Sequence, residues 1–81
     1  MKIVFENMKE IQEFVNICNE IDWKCDIDLK CGSKSVDAQS FLGVASFGTH
    51  KVLTVDFLGS EEDKDTFKKC IEKYCLKGAK A

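Results

Sequence analysis

Residues 26–48 read DIDLKCGSKSVDAQSFLGVASFG, and this stretch decides the fold. Together with Cys25 just before it, Ile27 and Leu29 alternate with Asp26, Asp28 and Lys30, the two-residue period of a strand with one wet face. Gly32-Ser33 supplies a turn and the chain can return as a second strand, so 25–30 and 33–37 are predicted to form a hairpin. Residues 40–48, SFLGVASFG, are small and apolar but too rich in glycine for a long helix. They suit one short helix over 40–46 between two loops.

Outward from this centre, residues 51–58 (KVLTVDFL) are the most strand-like in the chain. Leu53, Val55 and Phe57 form an all-apolar set that should face a core, with Val52, Thr54, Asp56 and Leu58 on the other side. Gly59 ends that strand. Ser60 is an N-cap candidate, followed by Glu61, Glu62 and Asp63 where the helix dipole favours acids. A helix over 60–76 follows, with Phe67, Cys70, Ile71 and Tyr74 as its buried stripe, Lys68, Lys69, Lys73 and Lys77 in its C-terminal half, and Gly78 as its stop. The last five residues should fray. At the other end, KIVF (2–5) is a short strand, and Asn7 with Glu10 three residues on approximates a capping box. Met8, Ile11, Phe14, Val15, Cys18 and Ile21 then recur at helical spacing, predicting a helix over 8–21. The order β-α-β-β-α-β-α indicates an α+β fold, an antiparallel sheet with three helices on one face. The predicted core is Phe14, Val15, Cys18, Ile27, Leu29, Leu53, Val55, Phe57, Phe67 and Ile71.

Eighty-one residues fit a single domain, 1–81, with room for one core layer. Apolar residues at 44% and charged residues at 32% exclude a disordered chain. Net charge is −2, and all 12 basic residues are lysine. A nucleic-acid partner is not expected, because it is usually gripped by a basic face and by arginine forks. MKIVFENMKEI has too short an apolar run for a signal peptide or a membrane span, so no membrane association and a cytoplasmic location are expected. Five cysteines (Cys18, Cys25, Cys31, Cys70, Cys75) are an odd number, which fits reduced thiols. None of their spacings is CxxC, so neither a metal site nor a cofactor is expected.

The same 26–48 stretch resembles the HPr family of the bacterial sugar phosphotransferase system. The resemblance lies in the hairpin with its glycine turn, in Val36-Asp37, in Ser40-Phe41-Leu42-Gly43-Val44 and in Ser46-Phe47-Gly48. It implies an open-faced β-sandwich, a four-stranded antiparallel sheet with three helices on one side. In phosphocarriers of that family a His-Ala-Arg-Pro-like motif opens the first helix. Here the corresponding residues are Glu6-Asn7-Met8-Lys9-Glu10-Ile11, without His, Arg or Pro. Asn7 by helical register, or Lys9 by ungapped alignment, takes the place of the histidine; this is a degenerate carrier site. His50, the one histidine, stands in the loop before the last strand and brings no evident orienting partner for acid–base or carrier chemistry.

The resemblance further implies a regulatory serine at Ser40, the substrate of an HPr-type kinase in some members and kept in catabolite-repression relatives that lack the carrier histidine. A plain N-cap with no modification fits the same residue. Phe41, Leu42, Ala45 and Phe47 would be the partner-binding surface; the alternative buries Leu42 and Val44 and leaves Phe41 and Phe47 exposed. The expectation is thus a non-enzymatic regulatory or adaptor protein whose partners are proteins, an HPr-type kinase or a transcriptional regulator by resemblance. The alternatives are a phosphocarrier component acting through a non-standard residue, and a thiol-based protein using Cys18, Cys25 or the Cys70/Cys75 pair.

Overall fold

The computed structural model describes residues 1–21 and 23–75. Four strands, β1 (Lys2–Ile3), β2 (Ile27–Cys31), β3 (Lys34–Asp37) and β4 (Leu53–Phe57), form one sheet. Its order is β1-β4-β2-β3, and every neighbouring pair is antiparallel. Three helices, α1 (Met8–Glu20), α2 (Phe41–Ala45) and α3 (Glu61–Cys70), complete the predicted α+β order. The hairpin register places Cys31 opposite Lys34 and leaves Gly32-Ser33 as a two-residue loop. Gly32 takes φ +63 there, a conformation in which a Cβ would be strained.

The helices attach to the sheet through aromatic rings. Phe57 of β4 lies 5.0 Å from Phe67 of α3, Trp23 stands edge-on to both at 5.6 and 5.3 Å, and Phe14 of α1 meets Phe67 at 6.2 Å. All ten predicted core residues are buried. The core also takes Ile3, Phe5, Ile11, Trp23, Ala38, Val44, Phe47 and Tyr74. Two residues of the predicted apolar face of α1 are corrected: Met8 and Ile21, one at each end, are exposed. The end of α1 has no glycine. Instead the Trp23 indole N–H donates to Ile17 O at 3.3 Å and Gln39 Nε2 donates to Cys18 O at 3.1 Å, satisfying two of the carbonyls a helix end leaves open.

Every predicted element is shorter than expected, and two stop early for a visible reason. The first strand stops at Ile3 because Val4 N–H turns away to Tyr74 O (3.0 Å) and Phe5 O accepts from His50 N–H (2.7 Å). The third helix stops at Cys70, where Ile71 (φ −107, ψ 12) breaks the spiral and residues 72–74 form a 3₁₀ turn. Residues beyond Cys75, including Lys77, Gly78 and the tail expected to fray, lie outside the described residues. The helix gives up its last turn so that this segment can run along the outer edge of β1, with Cys75 bridging Ile3. Covering an edge in this way satisfies backbone groups that a bare strand would leave open. Tyr74 anchors the cover: its ring packs on Phe5 (5.6 Å) and Phe14 (6.2 Å), and its hydroxyl donates to Glu13 Oε1 at 2.9 Å. Lys73 Nζ reaches the same oxygen at 3.2 Å.

Glu13 is therefore held in its charged form. The Tyr74 hydrogen bond first, and Lys73 after it, pull its pKa below the ordinary glutamate value. A depressed carboxylate contributes stability that is complete above its unfolded pKa of about 4.3 and fades as pH falls through the lower folded value. Denaturant unfolding of wild type and Glu13→Gln should differ at pH 6–8, and the difference should begin to shrink only below about pH 4.3 and vanish once the pH is under the lowered folded value. A difference that persists unchanged in acid would assign the effect to packing. Phe67→Ala, which removes a ring from the centre of the aromatic cluster, should lower stability by about 3–5 kcal/mol in the same assay.

Candidate functional site

The functional residues predicted from sequence fall on one side of the molecule, where α1 and α2 run side by side. Asn19 Nδ2 donates to Gln39 O (3.0 Å) and Gln39 Nε2 to Cys18 O, so the start of α2 is tied to the end of α1. The other end of α2 leads to His50, whose N–H donates to Phe5 O just before α1 begins. The two helices are thus antiparallel neighbours.

Ser40 caps α2. Its backbone is extended (φ −96, ψ 108), its Oγ accepts from Gly43 N at 3.2 Å, and the residue is exposed. At Gly43 an added Cβ would lie 3.3 Å from Val36 Cβ and 3.2 Å from Ser40 Oγ, so glycine lets the short helix lie close on β3. The C-terminal end is held by the Ser46 hydroxyl, which donates to Gly43 O (2.6 Å) and accepts from Lys34 Nζ (3.0 Å).

The apolar residues of this segment are not distributed as expected. Leu42 is 81% exposed, the most exposed large apolar side chain among the described residues. Phe41 and Ala45 are half-buried and pack against the core. Phe47, expected at the partner-binding rim, is 5% exposed and belongs to the core, with Lys34 Nζ 5.3 Å from its ring centre. The alternative fails as well, since Val44 is buried but Leu42 is not. The backbone explains both: Phe47 N–H bonds Val44 O and Gly48 N–H bonds Ala45 O. These three-residue steps eclipse side chains three apart, so Phe47 follows Val44 inward.

The start of α1 is closed upon itself. Asn7 Oδ1 accepts from Glu10 N (2.9 Å) while Glu10 Oε1 accepts from Glu6 N (2.8 Å), a reciprocal cap that consumes two donors. Asn7 and Lys9, the two candidates for the carrier position, are both exposed here, Asn7 as the cap and Lys9 two residues on, within the first turn. His50 adopts φ +62, and Thr49 Oγ1 lies 3.1 Å from its Nδ1. His50 is well removed in sequence from the first helix, and the bond from its N–H to Phe5 O brings its backbone beside the residues that enter that helix.

A property of this side that no single motif reveals is how few charges its short helix carries. Residues 38–50 contain no Asp, Glu, Lys or Arg in a chain that is 32% charged, and the cation beside them is Lys34, on Ser46 and Phe47. On α1, Met8, Gln12, Asn16 and Asn19 form an uncharged stripe at helical spacing, and Asn19 reaches the start of α2. Gln12 Nε2 donates to Asn16 Oδ1 (3.0 Å) along it. Of the charged residues of α1, Glu13 is turned away to Lys73 and Tyr74.

All five cysteines are free thiols. Burial pushes the Cys18 thiol up to about 12, and desolvation with Asp63 and Asp26 nearby raises Cys25. Such thiols hold little thiolate at neutral pH. Among the described residues no group of three or more His, Cys, Asp and Glu is placed to hold a metal ion, and no helix is long and apolar enough to cross a membrane.

These features define the open-faced β-sandwich of HPr-like proteins: a four-stranded antiparallel sheet with three helices, the short one capped by an exposed serine. The fold is similar to the crystal structure of Crh, a catabolite repression protein of Bacillus subtilis. The TM-score is 0.59 at 21% sequence identity, covering 93% of this chain and 88% of that one. That crystal structure is an intertwined dimer with a swapped domain. No family model matches the chain, and no curated protein matches it in sequence.

Two substitutions separate surface from core on this side. Phe47→Ala should lower unfolding stability by about 3–5 kcal/mol, whereas Leu42→Ala should stay within about 0.5 kcal/mol of wild type. Urea midpoints measure both, and equal effects would mean that the two side chains are not placed as described. In a native thiol-labelling titration Cys18 should remain silent until denaturant is added.

Proposed function

We propose that this protein is a regulatory or adaptor protein of the HPr type, located in the cytoplasm, that docks partner proteins through the α1–α2 side and does not relay phosphoryl groups as a carrier. The observation that carries this reading is Leu42, 81% exposed and two residues beyond Ser40, the N-cap of α2. Such a side chain on a helix without charged residues is a natural contact for a partner. The closed start of α1 agrees with it. Asn7 and Glu10 have taken two of the backbone donors at this helix start, and the carboxylates of Glu6 and Glu10 oppose a phosphate.

Ser40 is the proposed switch. A phosphate there brings roughly −2 charge onto a helix that carries no charged side chain of its own, which alters partner choice without touching the core. By the resemblance to HPr, a kinase of that type would add it and a transcriptional regulator is a candidate partner. The thiol reading gains no support, because Cys18 is core and its thiol is held protonated.

A phosphocarrier is the second reading, favoured by one observation, the placement of His50 beside the start of α1. Incubation with a phosphoryl donor separates the two. The adaptor reading expects no acid-labile label on this chain, and label lost in His50→Gln would establish the carrier instead. For the adaptor itself, partners captured from the native cytoplasm by wild type should be lost with Leu42→Glu and altered by kinase treatment, but retained by Ser40→Ala. Retention of all partners by Leu42→Glu would place the interface elsewhere.

A further inference from the structure

Lys34 is the cation that the short helix lacks. Residues 38–50 hold no Asp, Glu, Lys or Arg, but β3 lies against α2 and brings Lys34 to its C-terminal end. There the ammonium donates to Ser46 Oγ (3.0 Å) and stands 5.3 Å from the Phe47 ring centre. One residue joins this end of the helix to the other. Gly43 accepts the Ser46 hydroxyl at its carbonyl (2.6 Å) and gives its N–H to Ser40 Oγ (3.2 Å). A Cβ on Gly43 would lie 3.2 Å from Ser40 Oγ and 3.3 Å from Val36 Cβ, so Ser40 and Val36 meet at the same point of the helix. Lys34 stands two residues before Val36 on the same face of β3, about 7 Å along the strand. Its side chain is exposed, and its flexible four-carbon stem can turn across that distance.

The negative charge already at the start of α2 is Asp37. Its Oδ1 accepts from Gln39 N–H (2.9 Å) and its carbonyl from Ser40 N–H (3.0 Å), which holds it against Ser40. A phosphate on Ser40 adds roughly −2 beside that carboxylate, and together they draw an ammonium more strongly than a neutral hydroxyl and a ring can hold it. We propose that Lys34 is the positioning residue of the switch: with a phosphate on Ser40, its ammonium leaves Ser46 and Phe47 and pairs with that phosphate. A charge added at one end of α2 is thereby felt at the other, where Ser46 loses a donor and the Phe47 ring its cation. The inference rests on the reading of Ser40 as the modified residue, and it adds the group that answers the modification.

The test uses the full chain synthesised with phosphoserine at position 40, so that no kinase is needed. Phosphorus NMR follows the second ionisation of the phosphate, and amide resonances follow the C-terminal end of α2. A paired ammonium favours the dianion, so the wild-type phosphate should titrate at a pH lower by about 0.5 or more than in Lys34→Gln, a gap that high salt narrows. Lys34→Arg should restore the low value. The phosphate should also move the Ser46 and Phe47 amide resonances in wild type, and move them less in Lys34→Gln. Equal titration of wild type and Lys34→Gln overturns the proposal, because a lysine that only steadies Ser46 leaves the phosphate unmoved. So do Ser46 and Phe47 resonances that ignore the phosphate in wild type. Equal titration leaves Ser40 a switch acting by its own charge, whereas a Ser40 that no kinase modifies removes the switch and not the pairing.

Discussion

The contact between Phe57 and Phe67, ring centres 5.0 Å apart, is the joint on which the architecture depends. A four-stranded sheet in a chain this short has one face that can be covered, and its helices must be fixed to that face by a few large side chains. Phe57 projects from a central strand and Phe67 from the middle of α3, while Trp23 and Phe14 extend the contact to the end and centre of α1. Trp23 adds a second role, since its indole N–H also closes the end of α1. One cluster thus sets where both long helices lie, and α2 is positioned by what remains between α1 and β3.

Elements whose burial follows a strict period were legible in the sequence. The alternation of Leu53, Val55 and Phe57 with polar residues fixed the inward face of β4, and Ile27 and Leu29 did the same for β2. Gly32 marked the hairpin turn, and Asn7 and Ser60 marked two helix starts, all by local chemistry that needs no tertiary context. The end of α3 was not legible. Nothing local stops the helix at Cys70; the chain departs because Tyr74 is required against Phe5, Phe14 and Glu13, more than sixty residues away in the case of Glu13. Met8 and Ile21 were misplaced for a related reason. They keep the apolar period at the ends of α1 but overhang the sheet that the period was taken to face.

The candidate site was half legible. Ser40 as N-cap follows from its residue type and from the short helix after it, and Gly43 at its close approach to Val36 follows from the glycine. The exchange of Leu42 and Phe47 does not follow, because in SFLGVASFG every spacing is compatible with some helical face. Only the three-residue hydrogen bonds at the end of α2 decide that Val44 and Phe47 point inward and Leu42 outward. The nearness of His50 to the first helix was hidden in the same way, since it depends on a backbone bond across the fold.

Charge is partitioned between the two broad sides of the protein. On the open face of the sheet, Asp28 of β2 stands directly opposite Asp56 of β4 and Asp37 of β3. Like charges in such a row oppose pairing, and Lys30 Nζ, 3.1 Å from Asp56 Oδ2, offsets part of that opposition. Gln39 N–H, bonding Asp37 Oδ1 at 2.9 Å, offsets more at the other end. The sheet face can therefore stay wet and keeps other acidic surfaces, including its own copy, at a distance. On the α1–α2 side no such row of carboxylates stands: residues 38–50 carry no charged side chain, and Leu42 and Met8 are exposed among the described residues. A single added charge changes little on the first face, where carboxylates already stand side by side. On the second, where Lys34 beside Ser46 is the neighbouring cation, a charge added at the start of α2 would weigh more.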